Sequence, residues 1–114
     1  MEKGIMIFIG VLVVVIAFFV YQNNNSGDYD SFAQCLTDAG ISMGGADWCS
    51  HCSDQKAMFG SSFELIDYHN CDFEEDWCAE QGITGIPAWV FADGSLRPGV
   101  QSLRTLADLS GCEL

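Results

Sequence analysis

Two cysteines separated by Ser50 and His51 are the residues best suited to chemistry in this sequence. Cys49 and Cys52 lie where a strand pattern gives way to a helix pattern, so both fall in the first turn of a helix. There, unpaired backbone N–H groups and the helix dipole favour the thiolate of the first cysteine, and His51 can add a donor or a positive charge. A stable thiolate makes the disulfide a stronger oxidant. The pattern therefore predicts a redox-active pair in which Cys49 exchanges and Cys52 resolves. Trp48, Ser50 and His51 are predicted to tune the first sulfur.

The stretch Gly-Ile-Thr-Gly-Ile-Pro at residues 82–87 is the second informative motif. Pro87 opens a predicted strand, a position where a missing backbone N–H breaks no ladder hydrogen bond. Ile–Pro bonds are usually trans, but beside a Trp-Cys-x-x-Cys motif about 35 residues earlier we expect a cis bond between Ile86 and Pro87. Such a bond would turn the backbone toward the cysteine pair and leave main-chain groups free to bind an extended substrate.

The other four cysteines are expected to be oxidised in pairs if the domain lies in an oxidising compartment. Cys71 and Cys78 are the expected structural disulfide, joining a strand end to the next helix. Cys35 and Cys112 remain, and a bridge between them would close the two ends of the domain. The alternative is that Cys35, on the apolar face of its helix, is a buried free thiol, because sequence alone does not fix connectivity.

Metal binding is the main alternative for the cysteine pair. A structural zinc site needs a second pair of comparable spacing, and Cys71 and Cys78 are separated by six residues. We therefore predict no metal site and no cofactor. A copper(I)-binding module stays open because copper(I) prefers soft thiolates. Its ligands would be Cys49, His51, Cys52 and His69. A catalytically idle domain on a redox fold also stays open.

The charge balance restricts the partners of the protein. The 114 residues hold 16 Asp and Glu against four Lys and Arg, a formal net charge of −12. Phosphate binding needs clustered Lys and Arg, so nucleic acid is excluded as a partner. Three Trp and eight Phe are spread along the chain, which argues against intrinsic disorder.

Residues 5–21 form an uninterrupted apolar block without a charge. At about 1.5 Å per residue this block spans roughly 25 Å, the short end for a hydrocarbon core of about 30 Å. The polar flank at 22–27 lacks the small-x-small site of a cleaved signal peptide, so residues 1–21 are predicted to be an uncleaved transmembrane anchor. Lys3 precedes the block and the next basic residue is Lys56, which predicts a cytoplasmic N-terminus and a domain on the outer side, periplasmic, extracellular or lumenal. Residues 22–30 are the predicted polar linker, with a glycosylation sequon at 24–26.

The elements that must position the two motifs follow one another in residues 31–114, predicted to form one domain. Four helices are predicted, at 31–40, 49–60, 74–81 and from the cap residue Ser102 onward. Four strands are predicted, at 41–45, 63–68, 88–91 and 96–100, with an Asp93-Gly94 turn between the last two. This order favours an α/β fold with a mixed sheet of about four strands and helices on both faces. Trp77 and Trp89 are expected in the core, and Trp48 at the active surface.

The two motifs, at 48–52 and 82–87, followed by Asp93-Gly94 and Gly99, resemble the thioredoxin superfamily over residues 31–114. Residues 32–36, 43–46, 55–56, 59–60 and 99–103 are similar, more narrowly, to the thioredoxin-like domain fused to bacterial homologues of vitamin K epoxide reductase. That resemblance implies a thioredoxin-like fold and a domain that exchanges disulfides with a quinone-linked membrane partner and oxidises exported proteins. It also implies a second cysteine pair, which Cys71 and Cys78 match.

The sequence departs from these families at several positions. Ser50 stands where the narrower family usually has Pro, and Met43 stands where thioredoxins have a buried Asp that relays protons. At the position before the proline, Ile86 is more similar to the residue in reducing thioredoxins than to the residue in strong oxidants. His51 and the missing carboxylate outweigh Ile86, so we expect a membrane-anchored thiol–disulfide oxidoreductase that oxidises protein thiols outside the cytoplasm, with Ile86 and Pro87 holding the substrate. A reductase or isomerase of exported disulfides is the alternative, and any quinone chemistry would lie in another polypeptide.

Overall fold

The computed structural model of the chain describes residues 2–25 and 28–114. The helices in these residues are α1 (Glu2–Asn25), α2 (Asp30–Asp38), α3 (Ser50–Phe59), α4 (Glu75–Glu80) and α5 (Leu103–Ser110). The strands are β1 (Ser42–Gly45), β2 (Asp67–Asn70), β3 (Ala88–Val90) and β4 (Leu96–Pro98). A short 3-10 helix, Gly60–Leu65, follows α3 directly.

The first helix, α1, is long and apolar enough to cross a membrane. Its candidate span, Glu2–Val20, has a mean hydropathy of 2.8 and is not buried against any other described part of the chain. The whole helix of 24 residues rises through about 36 Å, enough for a hydrocarbon core of about 30 Å. It continues to Asn25, so residues 22–25 of the predicted linker are helical. Ser26 and Gly27, and with them the end of the predicted sequon, lie outside the described residues.

The four strands form one mixed sheet in the order β2-β1-β3-β4. β1 runs parallel to β2 and antiparallel to β3, and β3 pairs antiparallel with β4. Parallel strands need a crossover connection, which α3 supplies, whereas β3 and β4 need only a hairpin. Gly94 has φ 85° in this hairpin, at the predicted turn, and hydrogen bonds from Ser95 hold the pKa of Asp93 below its usual value. The expected mixed sheet of four strands is confirmed.

Helices cover both faces of this sheet. Successive residues of a strand point to opposite faces. At the end of β1, Cys52 of α3 packs on the Gly45 side and Trp77 of α4 packs on the Gly44 side. The core is built around six large side chains with at most 2% exposure. They are Phe32, Leu36, Met43, Phe59, Trp89 and Leu106. Trp89 is thus a core residue as expected, whereas Trp77 is only half-buried.

The strand predicted at residues 63–68 is wrong in its first half. Gly60 ends α3 with φ 58°, and the chain continues as the 3-10 helix before β2 begins. This short helix places Phe63 edge-on against both Phe59 and Tyr68, with ring centroids 5.9 and 5.5 Å apart. Strand propensity depends strongly on context, and these aromatic contacts override a short alternating pattern.

Candidate active site

Cys49 is the N-cap residue of α3, with extended backbone angles of φ −81° and ψ 112°. This geometry brings its sulfur to the free N–H groups of the first helical turn. The Cys52 N–H donates to the Cys49 sulfur over 3.2 Å. The two cysteines are joined as a disulfide with their Cα atoms 5.2 Å apart. Cys49 keeps 6% of its surface exposed and Cys52 keeps none, so an incoming thiol reaches Cys49 first.

The Ile86–Pro87 segment lies next to Cys49. The peptide bond between the two residues is cis, and the Cys49 sulfur is 3.8 Å from the Ile86 carbonyl oxygen. The Gly99 N–H donates to the Pro87 carbonyl over 2.7 Å and so attaches this loop to the end of β4. The structure therefore brings together the two motifs that the sequence singled out, although they are far apart in the chain.

A groove of about 540 Å³ opens in front of Cys49, within the range of roughly 300–1,000 Å³ that is typical of ligand-binding clefts. Its lining comes from the start of α3, from the loop at residues 83–86 and from the Cys71–Cys78 disulfide. Trp48 stands at the groove with 73% of its surface exposed, as expected for an aromatic residue at the active surface. Its indole N–H donates to the Asp72 carboxylate over 2.9 Å. Sequence reasoning missed Asp72, because nothing local links two residues on separate loops.

His51 has a different contact from the one expected. Its side chain is 76% exposed, and its Nδ1 lies 3.8 Å from Asp54 Oδ2, three residues further along α3. Among the hydrogen bonds of the described residues, the donor to the Cys49 sulfur is the Cys52 N–H and not His51. His51 and Ser50 both line the groove. Any effect of His51 on Cys49 therefore acts through the charge it carries when protonated.

Gly44 and Gly45, which sequence reasoning did not assign to the site, let sulfur atoms approach the sheet from both faces. A Cβ atom on Gly45 would lie 3.1 Å from the Cys52 sulfur and 3.0 Å from a ring carbon of Tyr68. A Cβ atom on Gly44 would lie 3.4 Å from the Cys71 sulfur. Glycine within a strand often marks such a close approach, so two consecutive glycines just before the cysteine motif were the available signal.

Gln55 holds α3 against the strand that follows Pro87. Its Oε1 accepts from the Trp89 indole N–H over 3.1 Å and from the Gln101 N–H over 2.7 Å, and its Nε2 donates to the Gln101 carbonyl over 2.9 Å. The residue is fully buried, and these bonds satisfy its polar atoms. Gln55 lies three residues after Cys52, on the same helical face, so its burial was predictable. Its partners, 34 and 46 residues away, were not.

The structure pairs the remaining cysteines as Cys71–Cys78 and Cys35–Cys112. Both expected pairings are present, and the free-thiol alternative for Cys35 is wrong. The first bridge links the end of β2 to α4, and the second links α2 to the end of the chain.

His69 contacts Asp67, Glu74 and Trp77, and not the Cys49–Cys52 pair. Its Nε2 lies 3.0 Å from Asp67 Oδ1, its Nδ1 lies 3.0 Å from Glu74 Oε1, and its ring stacks on Trp77 with centroids 3.6 Å apart. Across residues 2–25 and 28–114, no group of three or more His, Cys, Asp or Glu side chains is arranged to hold a metal ion. The four residues considered for copper(I) are therefore not assembled as one ligand set.

No family model matches this chain, but known proteins and solved structures are similar to it. The chain is 34% identical over 94 residues to the thiol-disulfide oxidoreductase LTO1 of Arabidopsis thaliana, an alignment that covers 74% of this chain. It spans 24% of the length of that relative. Among solved structures, a mutant thioredoxin from Halobacterium salinarum NRC-1 is similar with a TM-score of 0.51 and 25% identity, covering 73% of this chain and 84% of the other. The chain has a thioredoxin fold, and both similarities support the thioredoxin superfamily.

Proposed function

We propose that the protein is a membrane-anchored thiol–disulfide oxidoreductase that oxidises the thiols of other proteins outside the cytoplasm. The observation that carries the proposal is the hydrogen bond from the Cys52 N–H to the Cys49 sulfur, at a helix start that opens on a groove. The similarity to a thiol-disulfide oxidoreductase supports the same reaction class. An N-cap sulfur with a backbone donor is the arrangement that favours a thiolate.

The proposed reaction uses the disulfide as a two-electron acceptor. A substrate thiolate attacks the Cys49 sulfur, and the Cys49–Cys52 bond breaks as a mixed disulfide forms between substrate and Cys49. The second thiolate of the substrate then attacks the substrate sulfur that is bonded to Cys49. This releases Cys49 as a thiolate and leaves the substrate with a disulfide. The helix start stabilises this released thiolate, so the reduced state of the pair is favoured and the oxidised state is a strong oxidant.

The groove is proposed to bind the substrate as an extended segment beside Cys49. Ile86 offers main-chain and apolar surface on one side, and the exposed Trp48 offers an aromatic face on the other. Pro87 is fully buried, so its part would be to hold Ile86 in place through the cis bond and not to touch the substrate. Extended peptides commonly bind through main-chain hydrogen bonds with pockets for alternate side chains. The substrates would be protein dithiols, and the products would be protein disulfides.

The membrane placement is part of the proposal. α1 is a candidate span, and Lys3 precedes it while the next basic residue is Lys56, which favours a cytoplasmic N-terminus. Three disulfides in one small domain support an oxidising compartment. Re-oxidation would come from a quinone-linked membrane protein like the vitamin K epoxide reductase homologues. Protease added outside intact cells should remove the domain if this orientation is correct.

Equilibrium with glutathione tests the direction of electron flow. The full chain in detergent micelles is incubated in buffers of graded glutathione ratio, and alkylation of Cys49 and Cys52 is read by peptide mass spectrometry. We expect a potential of about −120 to −200 mV, above the roughly −270 mV of thioredoxin. A value below that of thioredoxin would favour a reductase, and a wild-type chain that oxidises no dithiol peptide would end the proposal. The Cys49→Ala/Cys52→Ala variant supplies the background.

A further inference from the structure

Tyr68 carries a buried hydroxyl group that the exchange reaction described so far does not use. In the described part of the chain, its oxygen is the buried side-chain polar atom that has no hydrogen-bond partner. Native structures rarely leave such a group unpaired, because burial without a partner costs stability. The position of this hydroxyl therefore calls for a physical reason.

The Tyr68 hydroxyl and the Cys52 sulfur face the same space above Gly45. A Cβ atom on Gly45 would be 3.3 Å from the Tyr68 oxygen and 3.1 Å from the Cys52 sulfur. Both atoms therefore approach the same point, which is open because residue 45 is a glycine and has no side chain. A sulfur atom within a disulfide is only a weak acceptor, which is consistent with the absence of a hydrogen bond between the two in the oxidised protein, as far as the structure describes it.

The Tyr68 ring is fixed in place by two neighbours. Phe63 packs edge-on against it at 5.5 Å, and the Lys56 ammonium lies 4.0 Å from its ring centroid. Asp67 and His69 precede and follow Tyr68 in β2, so they point to the opposite face of the sheet. The charged group that faces Tyr68 from the packed helix is therefore Lys56.

Other residues on the same face leave Cys52 without a polar partner. Met43, two residues before Gly45 in β1, points to the same side and has no hydrogen-bond donor. Gln55, on the Cys52 face of α3, already bonds Trp89 and Gln101 through both ends of its amide. Tyr68 carries a hydroxyl donor on this face that no other described group uses.

We propose that Tyr68 is a catalytic residue that donates a hydrogen bond to the Cys52 sulfur when the disulfide opens, an inference that rests on the proposed function. When a substrate thiolate attacks Cys49, the bond to Cys52 breaks and its electron pair stays on the Cys52 sulfur. Cys52 has no exposed surface, so water does not solvate the new charge, and a buried charge needs a hydrogen bond. The Tyr68 O–H supplies it. The proton stays on the oxygen, since a tyrosine hydroxyl is ordinarily a weaker acid than a thiol.

Kinetics of a single turnover test the proposal on the full chain in detergent micelles with a synthetic dithiol peptide. Tyr68→Phe, which removes only the hydroxyl, should oxidise the peptide about tenfold to a hundredfold more slowly, the loss expected for one hydrogen bond to a charged group. Gly45→Ala, which places a methyl group between the two atoms, should also slow the reaction. Tyr29→Phe is the matched control, because Tyr29 is exposed at the start of α2, and should oxidise the peptide at the wild-type rate.

Titration of Cys52 separates a catalytic from a structural role. In a Cys49→Ala variant, Cys52 is left as a single thiol, and the ultraviolet absorbance of its thiolate is followed against pH. Adding Tyr68→Phe should raise the midpoint by about one pH unit or more, the equivalent of the tenfold loss. An unchanged midpoint overturns the proposal even if the rate falls, as does a Tyr68→Phe rate equal to that of the control. This titration needs no turnover, so it still reads the inference if the wild-type chain fails to oxidise the peptide and the proposed function fails.

Discussion

The two faces of the sheet at the end of β1 hold two disulfides in opposite chemical settings. On the Gly45 face, Cys49–Cys52 opens on the groove, and the Tyr68 hydroxyl that faces the same glycine has no hydrogen-bond partner among the described residues. On the Gly44 face, the Cys71–Cys78 bridge lies beside Trp77, whose neighbour His69 has a carboxylate on each ring nitrogen. The faces on either side of these two adjacent glycines thus differ. The Tyr68 hydroxyl on one face is a donor without a partner among the described residues, whereas both ring nitrogens of His69 on the other face are paired.

This difference indicates what makes a disulfide reactive in a small domain. Both bridges line the same groove, so access alone does not distinguish them. The Cys49–Cys52 pair spans the first turn of α3, where backbone N–H groups meet the sulfur. The Cys71–Cys78 pair has the parallel strand β2 on one side and the six-residue α4 on the other. We propose that stabilisation of the released thiolate, rather than exposure, makes the first pair the one that exchanges.

Breaking one bridge at a time gives the largest expected effect. Cys49→Ser should reduce oxidation of a dithiol peptide to the background rate, because the attacked sulfur is gone. Cys71→Ser/Cys78→Ser should keep the rate per folded molecule and lower the free energy of unfolding by about 2 kcal/mol, as expected for a short closed loop. Peptide oxidation and denaturant unfolding are measured for both variants. If the double variant loses exchange while still folded, the two faces are not chemically distinct.

The bridge far from the groove should affect stability most. Cys35 and Cys112 are 77 residues apart in the chain, so their disulfide restricts the unfolded state more than the Cys71–Cys78 bridge does. Cys35→Ser/Cys112→Ser should lower the free energy of unfolding by about 4 kcal/mol and leave the glutathione potential of Cys49–Cys52 unchanged. Urea unfolding with the potential measured on the same sample checks both parts. A shifted potential would show that the far bridge shapes the exchange site.

Substitution on the paired face should have the smallest effect. His69→Gln removes two contacts with partly exposed carboxylates and the stack of the ring on Trp77. Together these are worth about 1.5 kcal/mol. We expect a lowered free energy of unfolding of that size, with peptide oxidation unchanged. Thermal unfolding and the peptide assay measure the two quantities, with Tyr68→Phe as the contrasting variant on the other face. A rate loss in His69→Gln as large as in Tyr68→Phe would contradict the contrast.

Local residue patterns were enough to predict most of the fold. Ser102 caps α5 through a hydrogen bond from the Thr105 N–H, 3.1 Å long, and Gly94 and Gly111 adopt the positive φ that turns and helix ends require. Cys49 is the N-cap because it is extended just before α3 begins at Ser50 and its side chain accepts from the Cys52 N–H. Each of these features depends on residues within a few positions of one another, which is the range over which sequence patterns are informative.

The parts of the site that depend on long-range register were not predictable. The predicted strand at 63–68 would have ended at Tyr68, whereas the observed β2 pairs Tyr68 with Met43 and His69 with Gly44. Only this register puts the Tyr68 hydroxyl on the Cys52 side and His69 on the other, since a shift of one residue exchanges the two faces. The 3-10 helix that precedes β2 is held by aromatic contacts of Phe63, which no local pattern indicates.

The ionisation of the Cys49 thiol shows whether the start of α3 activates this sulfur for disulfide exchange. The Cys52→Ser variant leaves Cys49 as a single thiol and keeps the residue-52 N–H that donates to its sulfur. Its rate of alkylation by iodoacetamide against pH gives the midpoint at which the thiolate forms. We expect a midpoint clearly below the value of about 8.5 for free cysteine. A midpoint at or above that value would show that the start of α3 does not activate the sulfur, and would leave Cys49–Cys52 as a third structural bridge.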